Sequence, residues 1–382
     1  MRVNRKSGAY VRQPQGYKAF IPEPLPPSPA IRFDDKLNTS LSRADRALGR
    51  LDGSIETLPH PELFLSMFVR REAVLSSQIE GTQASLSDVI KAEADVLDKS
   101  RPSDVSEVQN YIRAMRQGSE LLAELPISTR LITHLHRELM AGVRGQHQNP
   151  GEIRESQNWI GAAGCTLSDA LFVPPPRGEV NRLLGQLEKF LHDDSPLPPL
   201  IRIGMAHAQF ETIHPFLDGN GRVGRLLITL FLVEKTLLRH PVLYLSYYFK
   251  KHRAEYYDRL QAIRDSGDWE GWLYFFLEGV ATVANLAAET AQGVLRLREE
   301  HRQMVIENFD RSAATPLRVL DELYKLPVTS ANIIMRDRGV SYPTANNLVQ
   351  ELTKVGILQE ITGQKRNRVY IYRTYMRLFG DL

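Results

Sequence analysis

A polar, glycine-rich loop lies between two apolar helical runs, Leu200–Phe210 and Leu226–Leu238. The loop contains Asp218-Gly219-Asn220-Gly221, and glycines beside an asparagine permit positive φ angles and close approach of a ligand. The run from Arg222 to Leu238 is rich in helix formers and lacks proline, so a helix should follow directly. A glycine-rich loop that leads into a helix N-terminus is typical of an anion-binding site.

Two arginines support this interpretation. Arg222 and Arg225 are three residues apart and should share one face of the helix near its first turn. A cation at a helix N-terminus opposes the helix dipole by about 0.3–1 kcal/mol, so the pair predicts that a polyanion is bound between them. His214 is a candidate proton acceptor, and Asp218 is a candidate oxygen ligand for a divalent ion.

The whole stretch 214–225, His-Pro-Phe-Leu-Asp-Gly-Asn-Gly-Arg-Val-Gly-Arg, resembles the signature of the Fic family. That signature is His-x-Phe-x-(Asp/Glu)-Gly-Asn-Gly-Arg-x-x-Arg, and every fixed position is present. The resemblance implies transfer of a nucleoside monophosphate, usually AMP from ATP, to a protein hydroxyl. The family also contains kinases and phosphocholine transferases, but this chain keeps the Gly-Asn-Gly core from which the kinase branch departs.

The resemblance also assigns roles to single residues. His214 would remove a proton from a Ser, Thr or Tyr hydroxyl, and Asp218 would hold Mg²⁺. Tyr257, in Glu255-Tyr-Tyr-Asp-Arg-Leu260, matches a segment whose tyrosine packs on adenine, whereas aromatic residues taken alone are more often core. The other expected nucleotide contacts are Gly219, Asn220, Gly221, Arg222, Val223, Gly224 and Arg225.

A second motif lies upstream. On helix propensity alone Glu80 is a solvated acid in the last turn of a helix, where the dipole disfavours it. However, Ser76-Ser-Gln-Ile-Glu80-Gly81 resembles the inhibitory motif (Ser/Thr)-x-x-x-Glu-(Gly/Asn) of one class of Fic proteins. The resemblance implies that Glu80 pairs with Arg225, occupies the cation meant for the γ-phosphate and misplaces ATP. In some family members such a glutamate also helps to remove AMP, which the sequence leaves open.

Composition limits the possible fold and function of the chain only broadly. With 382 residues it is long enough for two or three domains. Its one cysteine, Cys165, excludes an internal disulfide and a cysteine-based zinc cluster. No uninterrupted apolar run reaches the roughly 18 residues of a membrane span, and no apolar stretch follows the basic N-terminus as a signal peptide would require. We therefore expect a cytoplasmic protein without membrane contact.

The first hundred residues should form a strap followed by helices. Pro22–Pro29 is too rich in proline for a helix or a central strand and should run extended along the surface. Helical spacing covers about 37–97; Pro61 suits a helix start, Gly81 a helix end, and Ser85 an N-cap.

Residues 104–142 predict two helices, Val105–Leu125 and Thr129–Ala141. His134 and His136 would point about 200° apart on the second helix, so they cannot jointly hold a metal. Residues 143–178 break the helical pattern, and Trp159–Gly161 and Ala170–Val173 are typical of short strands. The resemblance places a β-hairpin flap here, near residues 161–174, where a target protein would dock by strand addition.

Helices should continue through Glu179–Asp193 and Trp269–Leu286, with a charged linker helix over Ala287–Phe309. In the tail, Thr315 should cap a first helix, Ser330 should start a second that Gly339 ends, and Ser341 or Pro343 should start a third. A hairpin with Lys365, Arg366 and Arg368 at its turn completes a pattern that resembles a winged helix.

The tail leaves two functions open. Residues 301–382 carry twelve Lys/Arg against eight Asp/Glu, which favours DNA binding through phosphate contacts. The expected recognition helix, Tyr342–Val355, has only Lys354 as a base, so protein contact is an equal alternative.

The expected fold class is mainly α: a Fic-type helical bundle with a short β-hairpin flap, followed by a winged-helix domain. The expected domains are 1–100 with the inhibitory helix, 101–290 as the catalytic unit, and 291–382 as linker and winged helix. An alternative function is a DNA-binding regulator whose Fic domain only senses nucleotide. Metal-assisted hydrolysis at His214 and Asp218 ranks last, because further ligands at metal spacing are lacking. The sequence leaves a homodimer open.

Overall fold

The computed structural model describes residues 5–58, 60–94, 104–161, 164–194, 196–309 and 312–380. The fold is mainly α-helical, as predicted. Within the described residues the helices are α1 (Asp35–Glu56), α2 (Glu62–Ile79), α3 (Leu86–Glu93), α4 (Asp104–Leu121), α5 (Thr129–Met140), α6 (Arg177–His192), α7 (Pro199–Ile213), α8 (Asn220–Glu234), α9 (Ser246–Lys251), α10 (Arg253–Ser266), α11 (Trp269–Phe309), α12 (Ala314–Lys325), α13 (Ala331–Arg338), α14 (Tyr342–Lys354) and α15 (Arg373–Arg377). The strands are β1 (Gly8–Arg12), β2 (Lys18–Pro22), β3 (Val328–Thr329), β4 (Gln359–Glu360) and β5 (Tyr370–Ile371).

Helices α7 and α8 form the centre of the molecule. Every residue from Leu200 to Ile213 is buried, and α8 is buried almost without interruption from Asn220 to Leu232. A helix that is apolar on all sides has to be surrounded by other elements, so the loop between α7 and α8 is held between two core helices. Trp272 on α11 donates its indole N–H to the carbonyl of Gly204 on α7 at 2.7 Å.

Helix α11 is a core helix that extends beyond the core. The two helices predicted over 269–309 are one continuous helix, against which α1 packs along its length. By length and composition α11 could cross a membrane, but 67 % of its most apolar window is buried inside the protein. That burial is what a core helix shows.

Several predicted helix ends are confirmed. Ser85 caps α3 and forms a capping box with Asp88, because each accepts a backbone N–H of the other. Helix α2 ends at Ile79 with Glu80 as its C-cap, and Gly81 follows with φ +99°. Helix α8 begins at Asn220 rather than at Arg222, because Gly219 is its N-cap with φ 75°.

The N-terminal strap contains a hairpin that sequence reasoning did not predict. Strands β1 and β2 pair antiparallel with Gly8 opposite Pro22, and residues 23–34 follow without regular structure. Arg5 ties this segment down: it donates to the carbonyl of Ala30 at 2.8 Å and pairs with Glu270 on α11 at 2.7 Å.

The predicted flap is reduced to one bridge. Ile160 and Phe172 exchange backbone hydrogen bonds of 2.9 and 3.0 Å, and neither predicted strand extends further within the described residues. Three prolines follow at 174–176 and offer no N–H donors to continue the pairing. Residues 162–163 of this segment lie outside the described part of the chain.

The C-terminal unit, residues 314–380, joins four helices, α12 to α15, to a small sheet of strand order β3-β5-β4. Ser330 and Ser341 cap α13 and α14, and Gly339 ends α13 with φ 63°, as predicted. Strand β3 and helix α15 were not predicted. The prediction that Thr315 is an N-cap is wrong: the backbone is already helical at Ala313, and the proline after Thr315 falls where a helix N–H has no intrahelical partner.

Helix α2 lies against the C-terminal unit as well as the core. Arg70 donates to the carbonyl of Lys325 at 2.9 Å. The ring of Phe64 packs on Tyr324 with centroids 5.0 Å apart, and Phe68 packs on a phenylalanine after α15, Phe379, at 5.2 Å. The two units of the chain therefore meet through the helix that ends at Glu80.

A buried acid joins α2, α4 and α9. Glu72 is 2 % exposed and accepts hydrogen bonds from the N–H and hydroxyl of Ser246 and from the hydroxyl of Tyr111. Burial raises the pKa of Glu72 to about 7, because the ionised form is poorly solvated there.

We predict that Gly224→Ala destabilises the fold. A Cβ at this position of α8 would lie 2.4 Å from Oε1 of Glu211 on α7, and such overpacking costs about 1–3 kcal/mol. The matched control is Gly185→Ala on α6, where a Cβ would meet nothing within 4 Å and the better helix propensity should add up to about 1 kcal/mol. The measurement is urea unfolding of both variants. Equal changes of the same sign in the unfolding free energies of the two variants would contradict the prediction.

We also predict a pH-dependent effect of Glu72→Gln. The folded state retains the proton of Glu72 between its ordinary pKa of 4.5 and its raised pKa of about 7. This contribution to the unfolding free energy is therefore complete below 4.5 and is lost as the pH rises through 7. The variant cannot ionise, so relative to wild type it should gain about 3 kcal/mol across this range.

Urea unfolding at several pH values measures that gain. The control is Glu124→Gln, at an exposed glutamate after α4, whose difference from wild type should not follow this trend. A constant difference between Glu72→Gln and wild type from pH 4.5 to 8 would show that the buried acid does not shape the stability profile.

Candidate active site at the α7–α8 loop

His214 stands at the end of α7 as its C-cap, in the left-handed conformation with φ 51°. Its Nδ1–H donates to the carbonyl of Glu211 at 3.3 Å, which leaves the lone pair of Nε2 free. Burial lowers the pKa of His214 to about 4, and the charges of Arg264 and Arg154 act in the same direction. The imidazole is therefore neutral at pH 7 and can accept a proton.

The backbone of the loop is held by polar side chains. Arg154 donates to the carbonyl of His214 at 2.9 Å, and Asn158 donates to the carbonyls of His214 and Phe216 at 3.2 and 2.7 Å. The Asn220 side chain accepts the N–H of Phe216 at 2.9 Å and donates to its carbonyl at 2.8 Å. Together these bonds fix the loop while the Phe216 ring is buried in the core.

His136 is a part of the site that sequence reasoning missed. Its ring stacks on Phe216 with centroids 3.8 Å apart. Nδ1 accepts the N–H of Gly151 at 2.8 Å, so Nε2–H donates to the carbonyl of Asp218 at 3.1 Å. Burial lowers the pKa of His136 to about 4. Both bonds join groups distant in sequence, and the spacing of His134 and His136 alone could only argue against a shared metal.

The glycines leave room at the start of α8. A Cβ on Gly219 would lie 2.9 Å from the sulfur of Met140, and a Cβ on Gly221 would lie 2.3 Å from Oε1 of Glu80. A carboxylate oxygen therefore lies directly against the helix N-terminus. The first N–H groups of a helix have no intrahelical acceptor and carry the positive end of its dipole, so Glu80 occupies an anion position.

Glu80 and Arg225 form an ion pair, as the motif predicts. Nη2 of Arg225 is 2.7 Å from Oε1 of Glu80, and the same guanidinium donates to the hydroxyl and carbonyl of Ser76 at 2.9 and 3.0 Å. Burial raises the pKa of Glu80, but the charge and hydrogen bond of Arg225, together with the charges of Arg222 and His214, outweigh it and lower the pKa below its ordinary value. Ser76 and Glu80 thus bind one buried cation together.

Arg222 has a different partner. It is 1 % exposed, donates to Oε2 of Glu107 on α4 at 3.3 Å, and lies 3.9 Å from Oδ1 of Asp218. Its Nε is buried without a hydrogen-bond partner. The two arginines that the sequence placed on one face are therefore each compensated by a carboxylate from a separate helix.

The remaining predicted nucleotide contacts differ in placement. Val223 is fully buried and its N–H already bonds the carbonyl of Gly219, while Gly224 lies against α7. Both residues have packing roles in this structure, Val223 in the core and Gly224 against α7. Tyr257 is 38 % exposed with Arg253 over its ring at 5.4 Å. Burial and the charge of Glu80 raise the pKa of Tyr257.

Asp218 offers its carboxylate outward. Its side chain is 44 % exposed, and Oδ1 accepts the N–H of Gly219 at 2.6 Å. Over the described residues no cluster of three or more His, Cys, Asp or Glu could hold a metal by itself. One carboxylate fits a Mg²⁺ ion that takes its other ligands from water and substrate phosphates.

Comparison with known proteins agrees with this geometry. Residues 38–120 match the model of the Fic/DOC family N-terminal region, and residues 126–232 match that of the Fic/DOC family. A probable protein adenylyltransferase of Aquifex aeolicus (strain VF5) is 30 % identical over 183 residues, which cover 46 % of this chain and 52 % of that protein. The protein adenylyltransferase Fic of Aedes aegypti is 31 % identical over 157 residues, 40 % of this chain and 27 % of that protein.

Solved structures show the same fold. A Fic family protein from Desulfovibrio desulfuricans G20 aligns with a TM-score of 0.57 at 20 % identity and covers 90 % of this chain and 97 % of its own. A Fic domain containing signaling protein from Bacteroides thetaiotaomicron VPI-5482 aligns with a TM-score of 0.52 at 17 % identity, over 68 % of this chain and 97 % of its own. This chain spans only about half, or less, of the two relatives compared by sequence. The chain therefore contains the N-terminal region of the Fic/DOC family over residues 38–120 and the Fic/DOC family domain over residues 126–232.

Proposed function

We propose that this protein transfers AMP from ATP to a Ser, Thr or Tyr hydroxyl of a target protein, and that Glu80 inhibits the transfer. One observation carries the proposal: the Glu80 carboxylate lies 2.7 Å from Arg225 and against the N-terminus of α8, beside a histidine with a free nitrogen. An acid of the same chain thus fills an anion position next to a general base. The names of the relatives, protein adenylyltransferases, agree with this chemistry.

In the proposed active state the triphosphate of ATP replaces Glu80. The N–H group of Gly221 and the second amide N–H of the Asn220 side chain contact the α-phosphate, where they stabilise charge that develops during transfer. Arg222, with its unpartnered Nε, and Arg225, once released from Glu80, bind the β- and γ-phosphates. Tyr257 packs on the adenine from the exposed side of the site.

His214 acts as the general base. Its Nε2 takes the proton of the target hydroxyl, the hydroxyl oxygen attacks the α-phosphorus, and pyrophosphate leaves. The pKa of about 4 in this state is low for a base at neutral pH, but the negative charge of bound ATP would raise it. General-base assistance of this kind is worth typically about 10²–10⁴-fold in rate.

Asp218 is the residue that would hold Mg²⁺. Its exposed carboxylate suits an ion that keeps most of its ligands from water and phosphate. The ion would supply charge neutralisation between phosphate groups. We place the target protein at the segment 161–174, where an extended peptide would align with the edge at Phe172.

The C-terminal unit is proposed to be a winged helix. Its order of three helices with the sheet β3-β5-β4, and the exposed turn between β4 and β5, support this assignment. The alternative function, a DNA-binding regulator whose Fic domain only senses nucleotide, shares this unit but requires no transfer. Labelling with ATP distinguishes the two functions.

We predict that Glu80→Gly activates transfer. Removing the carboxylate frees Arg225 and the N-terminus of α8 for the γ-phosphate side of ATP. With α-³²P-ATP and Mg²⁺, Glu80→Gly should label protein strongly and wild type weakly. Adding His214→Ala to Glu80→Gly should reduce the labelling rate by about 10²–10⁴-fold.

The matched control is Glu124→Gly, which removes an exposed glutamate outside the site and should label like wild type. If Glu80→Gly stays unlabelled with ATP and with other nucleotides but still binds them, the regulator is favoured over the transferase. If the double variant labels as fast as Glu80→Gly, His214 is not the base.

A further inference from the structure

We propose that the C-terminal unit binds duplex DNA in the groove between α14 and the turn joining β4 to β5. This is a site separate from the α7–α8 loop. The inference is independent of AMP transfer, because none of its residues belongs to the site of the proposed reaction. It rests on the lining of the groove, the exposed face of α14 and the unpaired cations of the turn.

The groove has a polar lining contributed by three segments. It encloses about 250 Å³ and opens to solvent. The start of α13, the outer face of α14 and the β4–β5 turn line it, and the lining includes Tyr342, Asn346, Gln350, Lys365, Arg366 and Arg368. No carboxylate is among them.

Helix α14 presents amide side chains to this groove. Its inner face is apolar and buried through Ala345, Leu348, Val349 and Leu352. On the outer face Asn346 and Gln350 are four residues apart and therefore adjacent, with Asn347 exposed beside them. Asn and Gln side chains bond the edge of adenine in the major groove. The turn at Gly339 joins α13 to α14 in three residues, as in a helix-turn-helix.

The β4–β5 turn supplies the positive charge that α14 lacks. Lys365, Arg366 and Arg368 are all exposed. Within the described residues Lys365 and Arg366 have no acidic partner among the ion pairs, and Arg368 bonds only a backbone carbonyl, that of Gln364. Exposed cations beside a row of amides fit phosphates that flank base edges.

Nearby acids cancel only part of this charge, because most of them are paired with other cations. Glu351 pairs with Lys354 on α14, and Glu322 pairs with Lys325 and Arg338. Glu360 accepts the N–H groups of Thr362 and Gly363 and offsets part of the charge of Arg368. Among the described residues this leaves Lys365 and Arg366 as the unpaired cations of the turn. The groove therefore keeps a net positive field, which is the electrostatic footprint of a nucleic-acid site.

The same features favour duplex DNA over other partners. A protein interface would have an apolar core, whereas the lining here is mostly polar, with Tyr342 as its exposed large side chain at 48 %. The major groove of B-DNA admits an α-helix, but that of A-form RNA is too deep and narrow. A helix with exposed amide side chains and a basic turn beside it therefore fits the major groove of B-DNA.

Fluorescence anisotropy of the full-length protein with a labelled random-sequence DNA duplex tests the proposal. Wild type should bind, and its affinity should fall steeply between about 50 and 200 mM salt. Lys365→Gln/Arg366→Gln should bind more weakly and lose about two units of the logarithmic salt slope, since each phosphate contact contributes about 0.9. The control is Arg130→Gln/Lys189→Gln, the same charge change at exposed positions of α5 and α6, which should bind like wild type.

A second measurement tests the helix face. A pool of random duplexes is first enriched for sequences that wild type binds. The preference of Asn346→Ala/Gln350→Ala for the enriched duplexes over random duplex should be about tenfold or more below that of wild type. Its affinity for random duplex should stay unchanged. Duplex RNA should bind more weakly than DNA of the same sequence. Circular dichroism of each variant checks that these exposed changes leave the fold intact.

The proposal is overturned if wild type does not bind duplex DNA at about 50 mM salt. It is also overturned if the turn variant binds as tightly as wild type, or if the α5–α6 control loses as much affinity as the turn variant. Unchanged sequence preference in the α14 variant would reject α14 as the reading element. Capture of a protein by this unit without duplex binding would assign the groove to protein contact.

Discussion

The buried charge of Arg225 constrains the arrangement of the surrounding helices. This guanidinium is 2 % exposed and lies in the first turns of α8, where the helix dipole adds further positive potential. A buried cation without compensation is unfavourable, so an anion has to be brought to it. Glu80 supplies that anion, and the carbonyl of Ser76 accepts a hydrogen bond from the same guanidinium. Both contacts hold α2 against α8. Glu107 on α4 compensates the buried charge of Arg222 in the same way.

The loop between α7 and α8 shows how polar groups are accommodated inside an apolar core. Its carbonyls accept hydrogen bonds from side chains of distant segments, His136, Arg154 and Asn158, and from the local side chain of Asn220. These bonds rigidify the backbone around His214, whose own Nδ1 is used locally. Nε2 of His214 and the N–H groups at the start of α8 are left available to a ligand. The site is thus defined by the groups that the fold leaves unsatisfied.

Helix α2 connects this site to the C-terminal unit. At its end it carries Glu80, and along its length Phe64, Phe68 and Arg70 contact residues of the C-terminal unit. Because a packed helix moves as a rigid element, the position of Glu80 depends on contacts with both units. The buried Glu72 further fixes α2 through α9. The contact between Glu80 and Arg225 is therefore part of the general packing of the helices.

The sequence alone determined what depends on local chemistry. Caps such as Ser85 and Ser341 were found because a cap bonds an N–H three residues away, and the loop and Glu80 were found because their residues form contiguous motifs. Tertiary structure alone decided the partners that lie far apart in the chain. His136 bonds Asp218 across 82 residues, and Glu107 meets Arg222 across 115. Local sequence periodicity does not predict such pairs. They form because burial of the apolar surfaces brings particular helix faces together.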